Sequence, residues 1–157
     1  MPRDYVLDAF ALLAYLDAEE GADIVTGLIS QAPQESRLFV SIVNLGEVAY
    51  NAEREHGAET AREKIGKIRQ LPIEYAGVDE QRVLAAAHIK ANYRVSYADA
   101  FAIALAQQLD ATIVTGDPEF KNVEKSVEIL WLAEPKRKAM RERRAGYRVK
   151  RERVRHK

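Results

Sequence analysis

The chain has 157 residues, 47% of them hydrophobic, which is enough for one packed domain and a modest tail. It has no cysteine, so disulfide staples, zinc–thiolate centres and cysteine nucleophiles are excluded, and a reducing cytosol is a suitable setting. The formal net charge of zero hides a strong asymmetry: residues 135–157 carry 12 Lys and Arg against 2 Asp and Glu, leaving 12 basic and 22 acidic residues in 1–134.

That division gives two parts, an acidic body over 1–134 and a basic C-terminal tail over 135–157, balanced at −10 and +10. Such asymmetry points to a polyanionic partner such as nucleic acid, to a solvated tail, or to a protein or self-assembly surface. The charged start, MPRDY, is unlike a signal peptide, and no stretch approaches the roughly 18 to 20 apolar residues of a membrane span, so a cytoplasmic protein with no membrane partner is expected.

Along the chain, Tyr5-Val6-Leu7 reads as a buried strand ending at Asp8, and Ala9 to Leu16 as a helix with Phe10, Leu13 and Ala14 at helical spacing. Glu20 to Ile29 follows as an amphipathic helix, with a loop around Pro33. Leu38 to Val40 is a second strand, and Ser41 caps a helix running through Leu45, Val48 and Ala52 to a stop at Gly57. A helix over Thr60 to Gln70 and a short strand over Ile73 to Tyr75 come next. Two further helices occupy Glu80 to Tyr93 and the segment from Ser96 to Leu109, the latter with Phe101, Ala102 and Leu105 on one face. The β-branched run Thr112 to Thr115 is a strand, broken at once by Gly116-Asp117-Pro118, and Val127 to Leu132 is the last strand, with Trp131 read as core. In the tail, 136–145 reads as a charged helix interrupted at Gly146. Alternation of strands and helices predicts an α/β fold, a three-layer α/β/α sandwich around a central parallel sheet.

Four carboxylates stand out against this scaffold. Asp8 follows a strand directly and Asp117 lies two residues past another, which places both at the carboxyl edge of a parallel sheet, where active sites gather. Asp99 sits near the start of a helix among Ala98, Ala100 and Ala102. Glu47 falls within the otherwise apolar SIVNLGEVAY, where a carboxylate is costly unless paired or bound to a cation. Each has an ordinary alternative: Asp8 as a helix N-cap, Asp99 as a complement to a helix dipole, Asp117 as a turn residue, Glu47 as a solvent-facing side chain. Gathered at one edge they would repel strongly without a cation, and with no cysteine and no paired histidines the all-oxygen set suits Mg2+ or Mn2+. His56, His88 and His156 show no ligand spacing, there is no phosphate-binding GxxxxGK[ST], and Ser41 and Ser96 lack a nucleophile-elbow context.

The order strand-Asp8, Ser41-x-x-Asn44-x-x-Glu47, Ser96-x-x-Asp99-Ala-x-x-Ala102, Val114-Thr-x-Asp117 resembles the PIN domain family, and within it the VapC-type toxins of toxin–antitoxin pairs, over about Tyr5 to Leu132. The resemblance implies the same α/β/α sandwich and a Mg2+- or Mn2+-dependent endoribonuclease. It implies Asp8, Glu47, Asp99 and Asp117 as the catalytic, metal-binding acids, with Thr115 as the small polar residue beside them. It also implies RNA as substrate and an antitoxin protein as partner; a homodimer is expected as well. The tail after Glu134 departs from the pattern, being longer and more basic than such toxins usually carry; it is expected to capture RNA, or to fold onto the acidic body of a neighbouring subunit. Apolar positions at Leu12, Leu16, Ile24 and Leu28 would serve a second copy, an antitoxin helix, or plain core packing. Two other functions share the fold: a non-catalytic RNA-binding or scaffold module, against which the retained acids argue, and a structure-specific DNA nuclease, for which the short body lacks an obvious clamping insertion.

Overall fold

The computed structural model describes residues 2–133. The expectations for the tail, including the helix over 136–145, lie outside the described residues. Five strands, β1 (Arg3–Leu7), β2 (Ser36–Ser41), β3 (Ile73–Ala76), β4 (Thr112–Thr115) and β5 (Ile129–Trp131), form one sheet in the order β3-β2-β1-β4-β5. Every pairing is parallel. The α/β/α sandwich expected from the alternating pattern is therefore the fold. Its helices are α1 (Ala9–Leu16), α2 (Ala22–Gln31), α3 (Ile42–His56), α4 (Ala58–Arg69), α5 (Glu80–Asn92) and α6 (Tyr97–Leu109).

Alternation along the strands sorts the side chains into two cores. Val6, Phe39, Ile113, Ile129 and Trp131 face α5 and α6, while Leu7, Leu38, Val40, Val114 and Leu130 face α1, α2, α3 and α4. Leu12 and Leu28 are buried in the second core, with Leu16 and Ile24 packed against it. The apolar stripe of the first two helices is thus spent on core packing, and Leu12 and Leu28 are not available to a second copy.

Most differences from the sequence reading are at element ends. The second helix starts at Ala22, because Gly21 takes a left-handed conformation (φ 90°) that begins the helix anew, and it runs on to Gln31. The fourth helix starts two residues early, at Ala58, directly after Gly57. The final strand is only three residues long; its approach is taken up by a 3-10 turn over Pro118–Val123, which Pro118 favours at its first position. Among the described residues no helix is long and apolar enough to cross a membrane.

Candidate metal centre

The sheet register brings the site together. Leu7 pairs with Val114, so Asp8 stands level with Thr115 on the adjacent strand. The β1–β2 register likewise sets Asp8 level with Ser41, which itself pairs with Ala76. All these positions lie at the carboxyl edge of the sheet.

Asp8 does two jobs. It is the N-cap of α1, accepting from the Ala11 N–H through Oδ1 (2.9 Å), while Oδ2 accepts from the Thr115 hydroxyl. Thr115, fully buried, in turn accepts from the Asp117 N–H through Oγ1 (3.0 Å). One hydroxyl thereby ties the Asp8 carboxylate to the backbone of Asp117. Asp117 caps the 3-10 turn by accepting from the Glu119 N–H (2.9 Å). Asp99 occupies the first turn of α6, its N–H bonded to the capping Ser96 hydroxyl (3.1 Å). The ordinary roles foreseen for these acids are real and coexist with their convergence.

Glu47 reaches the same place from α3, one turn beyond Asn44. The Asn44 side chain is completely buried and donates through Nδ2 both to Glu47 Oε1 (3.1 Å) and to the Ala98 carbonyl (3.2 Å), fastening α3 to the start of α6. Its Oδ1 has no hydrogen-bond partner among the described residues.

The electrostatics follow from burial and crowding. Burial pushes the Asp8 carboxyl up to about 8, against the bonds from Thr115 and Ala11, and the Asp117 and Glu47 charges add to the rise. Asp99 is also pushed up to about 8, by burial first and then by Asp117, Asp8 and Glu47. Glu47 is raised by burial and by Asp117, with the Asn44 amide opposing. All four sequence-predicted acids therefore feel one another, and Thr115 lies among them.

A fifth carboxylate, Glu119, was not anticipated. Oxygen atoms of Asp99, Asp117 and Glu119 all lie within 4.8 Å of one another, close enough for a single cation to bridge with slight closure. The approach of Glu119 depends on the 3-10 turn that starts at Pro118, which no strand or helix period in the sequence announces. The donor set is all oxygen, two of its carboxyls are desolvated, and neither cysteine nor histidine intervenes, so these residues fit a hard divalent cation.

A family model described as PIN domain matches residues 5–126. The chain belongs to the PIN domain family. No curated protein matches the chain by sequence. Among solved structures, this PIN domain is similar to VapBC2 from Rickettsia felis bound to a DNA fragment from their promoter, with TM-score 0.66 and 14% identity over 81% of this chain and 97% of that one. It is similar to DNA-bound VapBC from Salmonella typhimurium, with TM-score 0.65 and 18% identity over 85% and 100%. VapC20 of Mycobacterium tuberculosis, a Sarcin-Ricin loop cleaving toxin, matches with TM-score 0.63 and 16% identity over 74% and 92%. At these identities the likeness is one of fold, and it agrees with the PIN domain architecture built above.

Proposed function

We propose that this PIN domain is a Mg2+- or Mn2+-dependent endoribonuclease, acting in the cytoplasm as the toxin of a toxin–antitoxin pair. The observation that carries the reading is the convergence of Asp8, Glu47, Asp99 and Asp117 at the carboxyl edge, with Asp8 and Asp99 both pushed up to about 8. Buried like charges are costly to maintain without a cation, and an inert scaffold has no need to keep them. A bound divalent cation supplies two things to phosphodiester hydrolysis: a water acidified enough to attack, and neutralisation of charge on the phosphate.

The chain's own residues do the rest. Asp99 and Asp117, with Glu119 within 4.8 Å of both, would be the primary holders of such a cation. Asp8 completes the cluster and is oriented by the Thr115 hydroxyl, which fixes one carboxylate oxygen and leaves its remaining lone pairs for a ligand. Glu47, steered by Asn44, is the group to accept a proton from the attacking water. The VapBC names of the structural neighbours support an antitoxin partner, and the basic composition of residues 135–157 supports a polyanionic substrate. A homodimer is included in the proposal; light scattering on the eluting species tests it.

The deciding experiment is cleavage of a mixed RNA pool by the full chain with and without Mn2+ or Mg2+, beside Asp99→Asn. Metal-dependent cutting that the variant loses is the expected result. Equal cutting by the variant overturns the assignment, and tight binding without cutting by either protein moves the function to an RNA-binding scaffold.

A further inference from the structure

A cavity of about 300 Å3 opens at the carboxyl ends of β2 and β3, and none of the acids or of the chemistry above uses it. Its walls come from the carboxyl ends of β2 and β3, through Ser41 and Ala76, from the first turns of α5, through Gln81 and Arg82, and from α6, through Phe101 and Gln108. The volume is at the lower end of the range for small organic ligands, roughly 300 Å3 and upward.

Its place in the sheet is the first argument. Ser41 stands level with Asp8 on the next strand, and Ala76 is one strand further along the same edge. Strands are about 4.8 Å apart, so the cavity begins roughly 5 to 10 Å sideways from Asp8. That offset is one that neighbouring nucleotides of an extended strand bridge. Helix α6 borders both places with different faces, Asp99 in its first turn at the cluster and Phe101, Leu105 and Gln108 in the cavity wall. The exposed Tyr97 holds the Phe101 ring edge-on, with 5.1 Å between centroids.

Its chemistry is the second. Ala76, Phe101 and Leu105 give an apolar floor. Arg82 is pinned at the rim, donating through Nη1 to the Gly77 carbonyl (2.9 Å) and through Nε to Gln108 Oε1 (3.3 Å). The latter bond uses the Gln108 carbonyl and leaves its amide N–H groups as donors, while the exposed Gln81 brings a second amide. A phosphate would meet one arginine over an apolar floor beside five carboxylates, which is a poor anion site. A flat, uncharged heteroaromatic ring meets a fixed guanidinium plane, an apolar floor and amides able to read its edge, which is how unstacked bases in single-stranded RNA are recognised.

We propose that this cavity takes one unpaired nucleobase of the RNA, adjacent to the phosphodiester held at the acidic cluster, and so sets the sequence preference of cutting. The inference rests on the nuclease reading for its location in the reaction, but binding of the base does not require cutting. Two variants probe it without touching the acids: Gln81→Ala removes an edge-reading amide, and Ala85→Trp fills the cavity from the exposed side of α5.

Two readouts on the full chain separate the outcomes. In the first, the four nucleoside 5′-monophosphates are titrated against the protein without metal, with the amide resonances of Ala85 and Gln108 as reporters. In the second, cut sites in a random-sequence RNA pool are mapped by sequencing in Mn2+. The expected result is saturable shifts at both reporters, favouring one base, that Ala85→Trp abolishes. The base preference at one position next to the cut falls by about fivefold in Gln81→Ala, the loss of one hydrogen bond. Shifts without cutting would uphold the base site and sink the nuclease reading. Cutting with unchanged base preference in both variants, and no reporter shifts, would overturn the base site and leave the nuclease reading standing. Neither shifts nor cutting would remove both.

Discussion

Without a bound cation the protein should become less stable as the pH rises, which is the reverse of the usual behaviour of paired carboxylates. The sign comes from Asp8 and Asp99. Each ionises near 3.8 in the unfolded chain and at about 8 in the fold, so between those values the folded state holds protons that the unfolded state has lost. Stability linked to these two groups is fully present below the unfolded value and is lost progressively as pH climbs toward 8. Each such carboxyl removes at most on the order of 1 kcal/mol per pH unit within that window, the two sharing part of the shift through their mutual repulsion. Urea unfolding in EDTA at pH 5.5, 6.5 and 7.5 reads this directly. The wild-type midpoint should fall across the series, and Asp99→Asn should fall about half as steeply, because one of the two protons is no longer at issue. The variant should also be the more stable protein at pH 7.5 without metal. Saturating Mg2+ or Mn2+ should flatten the wild-type profile and raise its midpoint most at the highest pH, where the carboxyls ionise at least cost. A metal-free wild type whose stability is level or rising from pH 5.5 to 7.5, in parallel with Asp99→Asn, would refute the account of a crowded, desolvated pair.

Other substitutions test the supports of the site. Thr115→Val removes the hydroxyl that bonds Asp8 and accepts from the Asp117 N–H, both in a fully buried position; it should cost about 1 to 3 kcal/mol in urea unfolding and weaken Mn2+ binding in calorimetry. Gly116→Ala should cost about 1 to 3 kcal/mol in thermal unfolding and lower cutting, since a Cβ there would meet Phe10 Cε1 at 2.3 Å and force the Thr115–Asp117 segment to move. Replacing Arg141, Arg143, Arg144 and Arg148 by glutamine in the full chain should flatten the salt dependence of RNA binding by about 0.7 in the log–log slope for each phosphate no longer neutralised. An unchanged slope would remove those residues from RNA capture.

The sheet and its order of elements were legible because strand residues alternate between two cores: Val6 and Leu7, or Ile113 and Val114, could serve only a sheet covered on both faces. Asp8, Asp99 and Asp117 were legible because they sit where a parallel strand or a capped helix delivers a side chain to the carboxyl edge, and Glu47 because it interrupts an apolar helix. Glu119 was not, since its approach depends on the 3-10 turn at Pro118 and not on any strand or helix period. Asn44 was visible as part of a motif, but its double bond to Glu47 and Ala98 depends on how closely α3 and α6 cross, which is a property of packing. The cavity between α5 and the ends of β2 and β3 is likewise a matter of tertiary spacing, and no local pattern around Gln81 or Ala85 announces it. The apolar positions Leu12 and Leu28 show the opposite problem: a stripe fit for a partner looks the same in sequence as one fit for the core.

The way the chain leaves the sheet has a practical consequence for handling the protein. After β5, Leu132 is pinned by its N–H to the Thr115 carbonyl (2.9 Å) and is packed so closely on Gly21 that a Cβ at Gly21 would lie 2.6 Å from that of Leu132. The backbone is thus anchored to the very residue whose hydroxyl orients Asp8, whereas Arg3 opens β1 at the far end of the strands. A fluorophore attached at position 132 or 133 would therefore sit beside the acidic cluster and share its surroundings with any nucleic acid there. The same label at Arg3 sits at the opposite end of the strands, roughly 15 Å away for a five-residue strand, and is the better choice for binding and cutting assays.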